Sequence, residues 1–201
     1  MKLMKIGLTG GIATGKSTVA AMLVERGALL VDADQVAREV VMPGEPALEA
    51  VASTFGQAVI HTDGTLNRKA LGEIVFNNRD QLMQLESILH PAIRNRMQQR
   101  IRQYEEQDPK QLVVADIPLL YETGQEELYE GIMVVYVPQQ LQLTRLMERN
   151  GLVQEEALRR IGLQMNIEQK RSRADWVIDN SSSLEETKRQ VDEFWKSQDL
   201  P

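Results

Sequence analysis

Near its amino end the chain reads Gly10-Gly11-Ile12-Ala13-Thr14-Gly15-Lys16-Ser17, a complete G-x-x-x-x-G-K-[ST] pattern, and no other stretch constrains the fold as much. A loop of this kind works only between a strand and a helix. Both are in place: Lys5-Ile6-Gly7-Leu8-Thr9 reads as a buried strand, and from Thr18 onward Val19, Met22, Leu23 and Arg26 recur at helical spacing until Gly27 ends the run. That setting favours a phosphate loop over a plain glycine-rich turn carrying a surface lysine. The glycines let successive backbone N–H groups point inward, while the first turn of the helix adds unpaired donors and the positive end of its dipole. Lys16 can reach the β- and γ-phosphates of a nucleotide, and the Ser17 hydroxyl can take one coordination position of the Mg²⁺ that accompanies it. The chain is expected to use a nucleotide.

Beyond this loop, the apolar runs that read as strands are Ile6 to Thr9, Leu29 to Val31, Leu112 to Ala115, Ile132 to Val137 and Trp176 to Ile178, with helical patterns between them. Alternation of that kind implies an α/β class with a mostly parallel five-stranded sheet flanked by helices. About eighty residues separate the second and third runs, far more than a βαβ crossover requires, so an inserted helical subdomain is expected there. Within it Leu48, Val51, Ala52 and Phe55, then Leu66, Ala70, Leu71, Ile74 and Val75, then Leu82, Leu85, Ile88 and Leu89 follow i, i+3, i+4 spacing and read as core. Pro43-Gly44 and Asp63-Gly64 mark turns. Pro91, inside a helical run, is expected to start a new helix or kink the old one. From Gln139 to Arg173 the chain is helical again and rich in cations: Arg145, Arg149, Arg159, Arg160, Lys170, Arg171 and Arg173. A final helix, Leu184 to Trp195, offers Val191, Phe194 and Trp195 to the core.

The 201 residues carry 23 Lys and Arg against 29 Asp and Glu, a net charge of −6. Counterion release needs a dense basic face, so this balance argues against nucleic-acid or membrane-surface partners and for small ones. The absence of cysteine removes disulfides and thiolate metal sites. No apolar stretch approaches the roughly 18 residues of a spanning helix, and the amino end lacks the apolar region of a signal peptide. A cytoplasmic enzyme is expected.

Carboxylates at the carboxyl ends of parallel strands share a crevice with the phosphate loop. Three stand at such places: Asp32, Asp34 and Asp116. Asp34 reads as a general base in preference to a helix cap, and Asp32 the other way round. Asp116 has the place of the second acidic group that holds Mg²⁺, the alternative being a structural hydrogen bond. Arg145 and Arg149, four apart, share one helical face and would close over a triphosphate, or else belong to a solvated basic face. His90, before Pro91, reads more readily as a packing residue than a catalyst, and His61 in a polar turn has no assigned role.

Taken in order, these residues resemble one family, the dephospho-coenzyme A kinases, across nearly the whole chain. The resemblance is carried by Gly7 to Ile12 leading into Thr14-Gly15-Lys16-Ser17-Thr18, by Val31-Asp32-Ala33-Asp34 with Ala37-Arg38, and by Asn67-Arg68-Lys69-Ala70-Leu71 with Ile74-Val75-Phe76. Leu89-His90-Pro91-Ala92-Ile93, Asp116-Ile117-Pro118-Leu119-Leu120-Tyr121-Glu122 and Ala174-Asp175-Trp176-Val177-Ile178-Asp179-Asn180 complete the set. One departure is Ala13-Thr14, where the family often has Gly-Ser.

The resemblance implies the P-loop kinase fold and an ATP- and Mg²⁺-dependent kinase that phosphorylates the ribose 3′-hydroxyl of dephospho-coenzyme A, the last step of coenzyme A biosynthesis. It implies a nucleotide-binding core (1–37, 111–138 and 174–201), a substrate-binding insertion (38–110) and a lid (139–173). On the matching positions Asp34 is the base, and Gly11, Ile12, Ala13, Thr14, Gly15, Lys16, Ser17 and Thr18 hold ATP. Arg149, with Arg145 second, clamps its phosphates, and Ser17 and Asp116 face the metal. Asn180 lies near the adenine, and Arg38, Arg68 and His90 belong to the acceptor side. The expected partners are ATP and dephospho-coenzyme A, with the protein a monomer or small homo-oligomer. Competing expectations are another small-molecule kinase, such as a nucleoside monophosphate kinase, and a nucleotide-driven switch. The chain has no Asn-Lys-x-Asp segment of the kind that selects guanine.

Overall fold

A computed structural model of the protein describes residues 4–107 and 110–200. Residues 1–3, 108–109 and 201, which fall within the expected ranges 1–37, 38–110 and 174–201, lie outside the described residues. In chain order the elements are β1 (Met4–Gly10), α1 (Lys16–Glu25), β2 (Leu29–Asp32), α2 (Ala33–Glu39), α3 (Pro46–Phe55), α4 (Arg68–Val75), α5 (Arg79–Gln107), β3 (Leu112–Asp116), β4 (Gly131–Tyr136), α6 (Gln139–Asn150), α7 (Gln154–Ile161), α8 (Ile167–Ser172), β5 (Trp176–Asp179) and α9 (Leu184–Ser197).

The strands form one five-stranded sheet in the order β2-β3-β1-β4-β5. β1 pairs in parallel with β3, Leu8 opposite Asp116, and with β4, Gly10 opposite Val135. β4 pairs in parallel with β5. Every residue of β3 and β4 is buried, the pattern of central strands covered on both faces. Because the order reverses at β1, its carboxyl end opens into the crevice where ligands of such sheets bind.

Chain contacts divide the molecule into two units: the chain up to Val31 together with that from Gln103 onward, and Asp32–Arg102. In the first, Ile6, Leu8, Leu112, Val114, Met133, Val135 and Ile178 project from one sheet face onto Val19, Ala20, Met22 and Leu23 of α1 and Val191 and Phe194 of α9. Trp176 meets Phe194 edge to face at 5.2 Å. The alternate strand residues Val113, Ala115, Ile132 and Val134 point to the other face and are equally buried. Residues 139–173 belong to this unit.

The second unit has its own small core, Val51, Val59, Leu71 and Leu85, with Phe55, Ile74, Ile88 and Leu89 packed around it. Of the two outcomes expected at Pro91, a new helix does not start there, because α5 runs through it from Arg79 to Gln107. Proline removes the hydrogen bond to the carbonyl four residues earlier, but Ser87 and Pro91 are both exposed, so that carbonyl can be satisfied by water.

Candidate active site

β1 ends at Gly10 and α1 begins at Lys16. The cap of α1 is Gly15, at φ 85° and ψ 23°, with no side-chain cap and no acid in the first turn. The first N–H groups of the helix are thereby left to an anion. Glycine is required at 15 for a second reason, since a Cβ there would overlap Asn180 Nδ2.

Asn180 follows β5 and is 9% exposed. Its Nδ2 donates to the Thr14 carbonyl at 2.8 Å, and its Oδ1 accepts from Thr187 Oγ1 at 2.7 Å. Its backbone carbonyl accepts from Arg145 Nη2 at 3.0 Å. The side chain is thus engaged in holding the loop. Gly15, Thr18, Arg145, Arg149, Asn180 and Leu184 line a cavity of about 640 Å³ beside the loop. Substituting Gly15 with alanine is expected to cost about 1–2 kcal/mol in backbone strain and to push Asn180 off Thr14. Thermal melting and titration with a fluorescent ATP analogue check this; an unchanged Kd would remove Gly15 from the binding argument.

The opposite edge of the loop is held by residues from 139–173. The Ile12 N–H donates to Gln164 Oε1 at 2.7 Å, and its carbonyl accepts from Gln142 Nε2 at 2.9 Å. Gln142, 2% exposed, occupies the space that a Cβ on Gly11 would need. Ile12 and Ala13 pack against Leu143, Leu146, Ala157 and Ile161. Ala13 has φ 60°, a conformation that costs a residue with a Cβ about 1–2 kcal/mol.

Where the loop passes into α1 the Lys16 ammonium is paired with the Asp116 carboxylate. Asp116 ends β3 and is 6% exposed. Thr9, fully buried, donates through Oγ1 to the Pro118 carbonyl at 3.0 Å, tying β1 to the turn after Asp116.

The basic stretch proves less free than its composition suggests. Arg159 and Arg160 are hydrogen-bonded to Glu156, whose carboxyl they hold down to about 2. Arg173 pairs with Glu126 and lies over the Tyr121 ring at 4.4 Å. Burial pushes the Tyr121 hydroxyl up to about 12. Arg171 lies over Tyr136 at 4.4 Å. Arg145 and Arg149 line the cavity, with Arg149 Nε donating to Asn150 Oδ1 at 2.9 Å.

A family model described as dephospho-CoA kinase matches residues 4–186. A dephospho-CoA kinase of Halalkalibacterium halodurans is 51% identical over 193 residues, covering 96% of each chain. The chain belongs to the dephospho-CoA kinase family. Among solved structures, one from Thermus thermophilus is 36% identical with a TM-score of 0.81, covering 98% of both chains. The dephospho-CoA kinase of Campylobacter jejuni is 30% identical with a TM-score of 0.75, covering 96% of both.

The remaining positions that the family resemblance singled out lie in the second unit. Asp32 caps α2, its Oδ1 accepting from the N–H groups of Asp34 at 2.7 Å and Gln35 at 3.2 Å. The helix starts at Ala33. Asp34 and Arg38 follow on α2, both exposed. Arg68 opens α4, behind the Asn67 cap whose Oδ1 accepts from the Ala70 N–H at 3.0 Å. His90 lines a cavity of about 290 Å³ on α5 with Glu86, Ser87 and Arg94. Two residues that hold the phosphate loop, Gln142 and Gln164, carried no signal in the sequence, and Lys170 stood out there only as one cation of a basic stretch. For Lys170 there was a further signal, since it stands three residues after Ile167 on the inward face of α8.

Proposed function

We propose that this chain transfers the γ-phosphoryl group of ATP to the ribose 3′-hydroxyl of dephospho-coenzyme A, giving coenzyme A and ADP in the last step of coenzyme A biosynthesis. The observation that carries the reading is the start of α1, uncapped and free of acids, with Lys16 held against Asp116. Together with family membership, it describes a polyphosphate donor site.

In the reaction Asp34 takes the proton of the 3′-hydroxyl, the 3′-oxygen bonds to the γ-phosphorus, and the bond to the β-phosphate oxygen breaks as ADP leaves. Backbone N–H groups from Gly11 to Thr18 hold the phosphates, while Lys16, Arg149 and Arg145 offset the charge that develops on the transferred group. Arg38, Arg68 and His90 bind the acceptor. Residues 38–110 act as the acceptor-binding insertion and 139–173 as a lid that keeps water from the γ-phosphate.

Mg²⁺ fits the residues present. The Ser17 hydroxyl and the Asp116 carboxylate are hard oxygen donors, and among the described residues no cluster of three or more His, Cys, Asp or Glu offers an all-protein cage. Mg²⁺ needs only one or two such donors beside the phosphates themselves. When bound, it neutralises charge on the β- and γ-oxygens. No helix among the described residues is long and apolar enough to cross a membrane, and our reading has the enzyme working in the cytoplasm on small molecules.

The test is to incubate the purified protein with Mg²⁺-ATP and either dephospho-coenzyme A or nucleoside monophosphates, following ADP and product mass. Coenzyme A is the expected product. Its failure to form above the enzyme-free control, or faster turnover of a nucleoside monophosphate, overturns the proposal.

A further inference from the structure

Lys170 is fully buried, a rare position for an ammonium group unless it is paired. Its Nζ donates to Glu122 Oε1 at 2.9 Å, to the Pro118 carbonyl at 2.9 Å and to the Gly10 carbonyl at 3.3 Å. Three donors thus meet three acceptors. Burial pushes its ammonium below the ordinary lysine range, Glu122 opposes that shift, and the charge on nearby Lys16 adds to it.

The acceptors come from separate segments. Gly10 ends β1 and opens the phosphate loop, and Pro118 stands two residues beyond Asp116. Glu122 also accepts the Met165 N–H at 2.8 Å, which ties the same cluster to the approach to α8. A compact ammonium suits three acceptors converging in closed space better than the planar fork of arginine.

We propose that Lys170 is a positioning residue for phosphoryl transfer: by joining the Gly10 and Pro118 carbonyls it sets the spacing between the phosphate loop and the Asp116 turn, and so where Lys16 and Asp116 stand. It touches neither substrate nor reacting atoms. The kinetic part of its test rests on the function proposed above.

The test compares wild type, Lys170→Met and the double variant Lys170→Met with Glu122→Gln. Misplacement by an ångström can cost about 100-fold, so kcat of Lys170→Met is expected to fall roughly 10- to 100-fold while KM for ATP rises less than about fivefold. Lys170→Met also strands a carboxylate and lowers Tm. The double variant removes that charge and is expected to regain most of the Tm while kcat stays low. A purely structural lysine predicts that kcat returns with Tm, and that result overturns the proposal, as does wild-type kcat in Lys170→Met. Should Lys170→Met not fold, the double variant and Lys170→Gln, which keeps a donor for one carbonyl, make the same comparison. A wild-type protein that forms no coenzyme A overturns the proposed function instead. In that case the Tm increase caused by Mg²⁺-ATP decides, expected to be smaller in the double variant than in wild type and equal if Lys170 has no positioning role.

Discussion

Replacing Lys16 with methionine is expected to lower kcat/KM by roughly 10³-fold or more and to weaken ATP binding as well, because in the proposed reaction its ammonium serves both the bound phosphates and the charge that builds on the transferred group. Removal of one preorganised donor commonly costs about 10²–10³ in rate, and a full charge in a water-poor site exceeds a neutral donor. Methionine keeps the length of the side chain, so the loss reports the charge more than the packing. The substitution also takes away the cation paired with Asp116, so thermal melting must accompany the kinetics to separate lost fold from lost chemistry. Steady-state kinetics and calorimetric titration with Mg²⁺-ATP are the measurements. Binding within twofold of wild type would remove Lys16 from the phosphate site.

Asp34→Asn is expected to act differently: turnover falls by about 10²–10⁴, the usual contribution of a positioned base, while ATP affinity is kept. Asparagine has nearly the shape of aspartate and cannot accept the hydroxyl proton. The substitution is also structurally mild, because the cap of α2 is the carboxylate of Asp32 and Asp34 supplies only its backbone N–H. Loss of the acidic charge from the first turn costs no more than about 0.3–1 kcal/mol. Asp32→Ala makes the contrast, removing the cap at a cost of about 1 kcal/mol and loosening the turn that carries Asp34. Single-turnover kinetics with saturating ATP read the chemical step directly. Normal turnover in Asp34→Asn would falsify the assignment of the base.

The two substitutions separate the halves of the reaction. In the proposed reaction Lys16 serves the donor and Asp34 the acceptor; Lys16 lies in the unit that holds the sheet, Asp34 in the unit Asp32–Arg102. Loss of binding with loss of rate marks the first, loss of rate alone the second.

Local patterns carried much of this molecule. The sheet followed from short apolar runs, since strands buried on both faces read as near-continuous apolar stretches, as Leu112 to Ala115 of β3 and Ile132 to Val135 of β4 do. The phosphate loop followed from glycine and lysine spacing, because its donors are backbone groups set by eight consecutive residues. The helical stripes of residues 48–89 followed largely from the helical period, although Leu82 is exposed and Leu66 lies before α4, bridged to Ile60. At Pro91 the sequence left open a new helix or a kink of the old one, and α5 runs on through it, with Ser87 exposed so that water can replace the lost bond.

Charge was the part that local patterns could not apportion. The cations between Arg145 and Arg173 look alike in sequence, yet Arg159 and Arg160 are taken up by Glu156, Arg173 by Glu126 and Lys170 by Glu122. Glu156 is within a helical turn and could be foreseen, whereas Glu126 and Glu122 lie about fifty residues away along the chain. Asn180 shows the same limit, since its amide is engaged by Thr14 and Thr187, of which only Thr187 is near in sequence. The sequence by itself determined the class of fold, the phosphate-binding loop and the resemblance to a kinase family, because each is legible in short patterns of neighbouring residues and in their order along the chain. Only the tertiary structure decided which polar side chains hold that loop in shape: Lys170, Asn180, Gln142 and Gln164 act through partners that folding alone brings within hydrogen-bond reach.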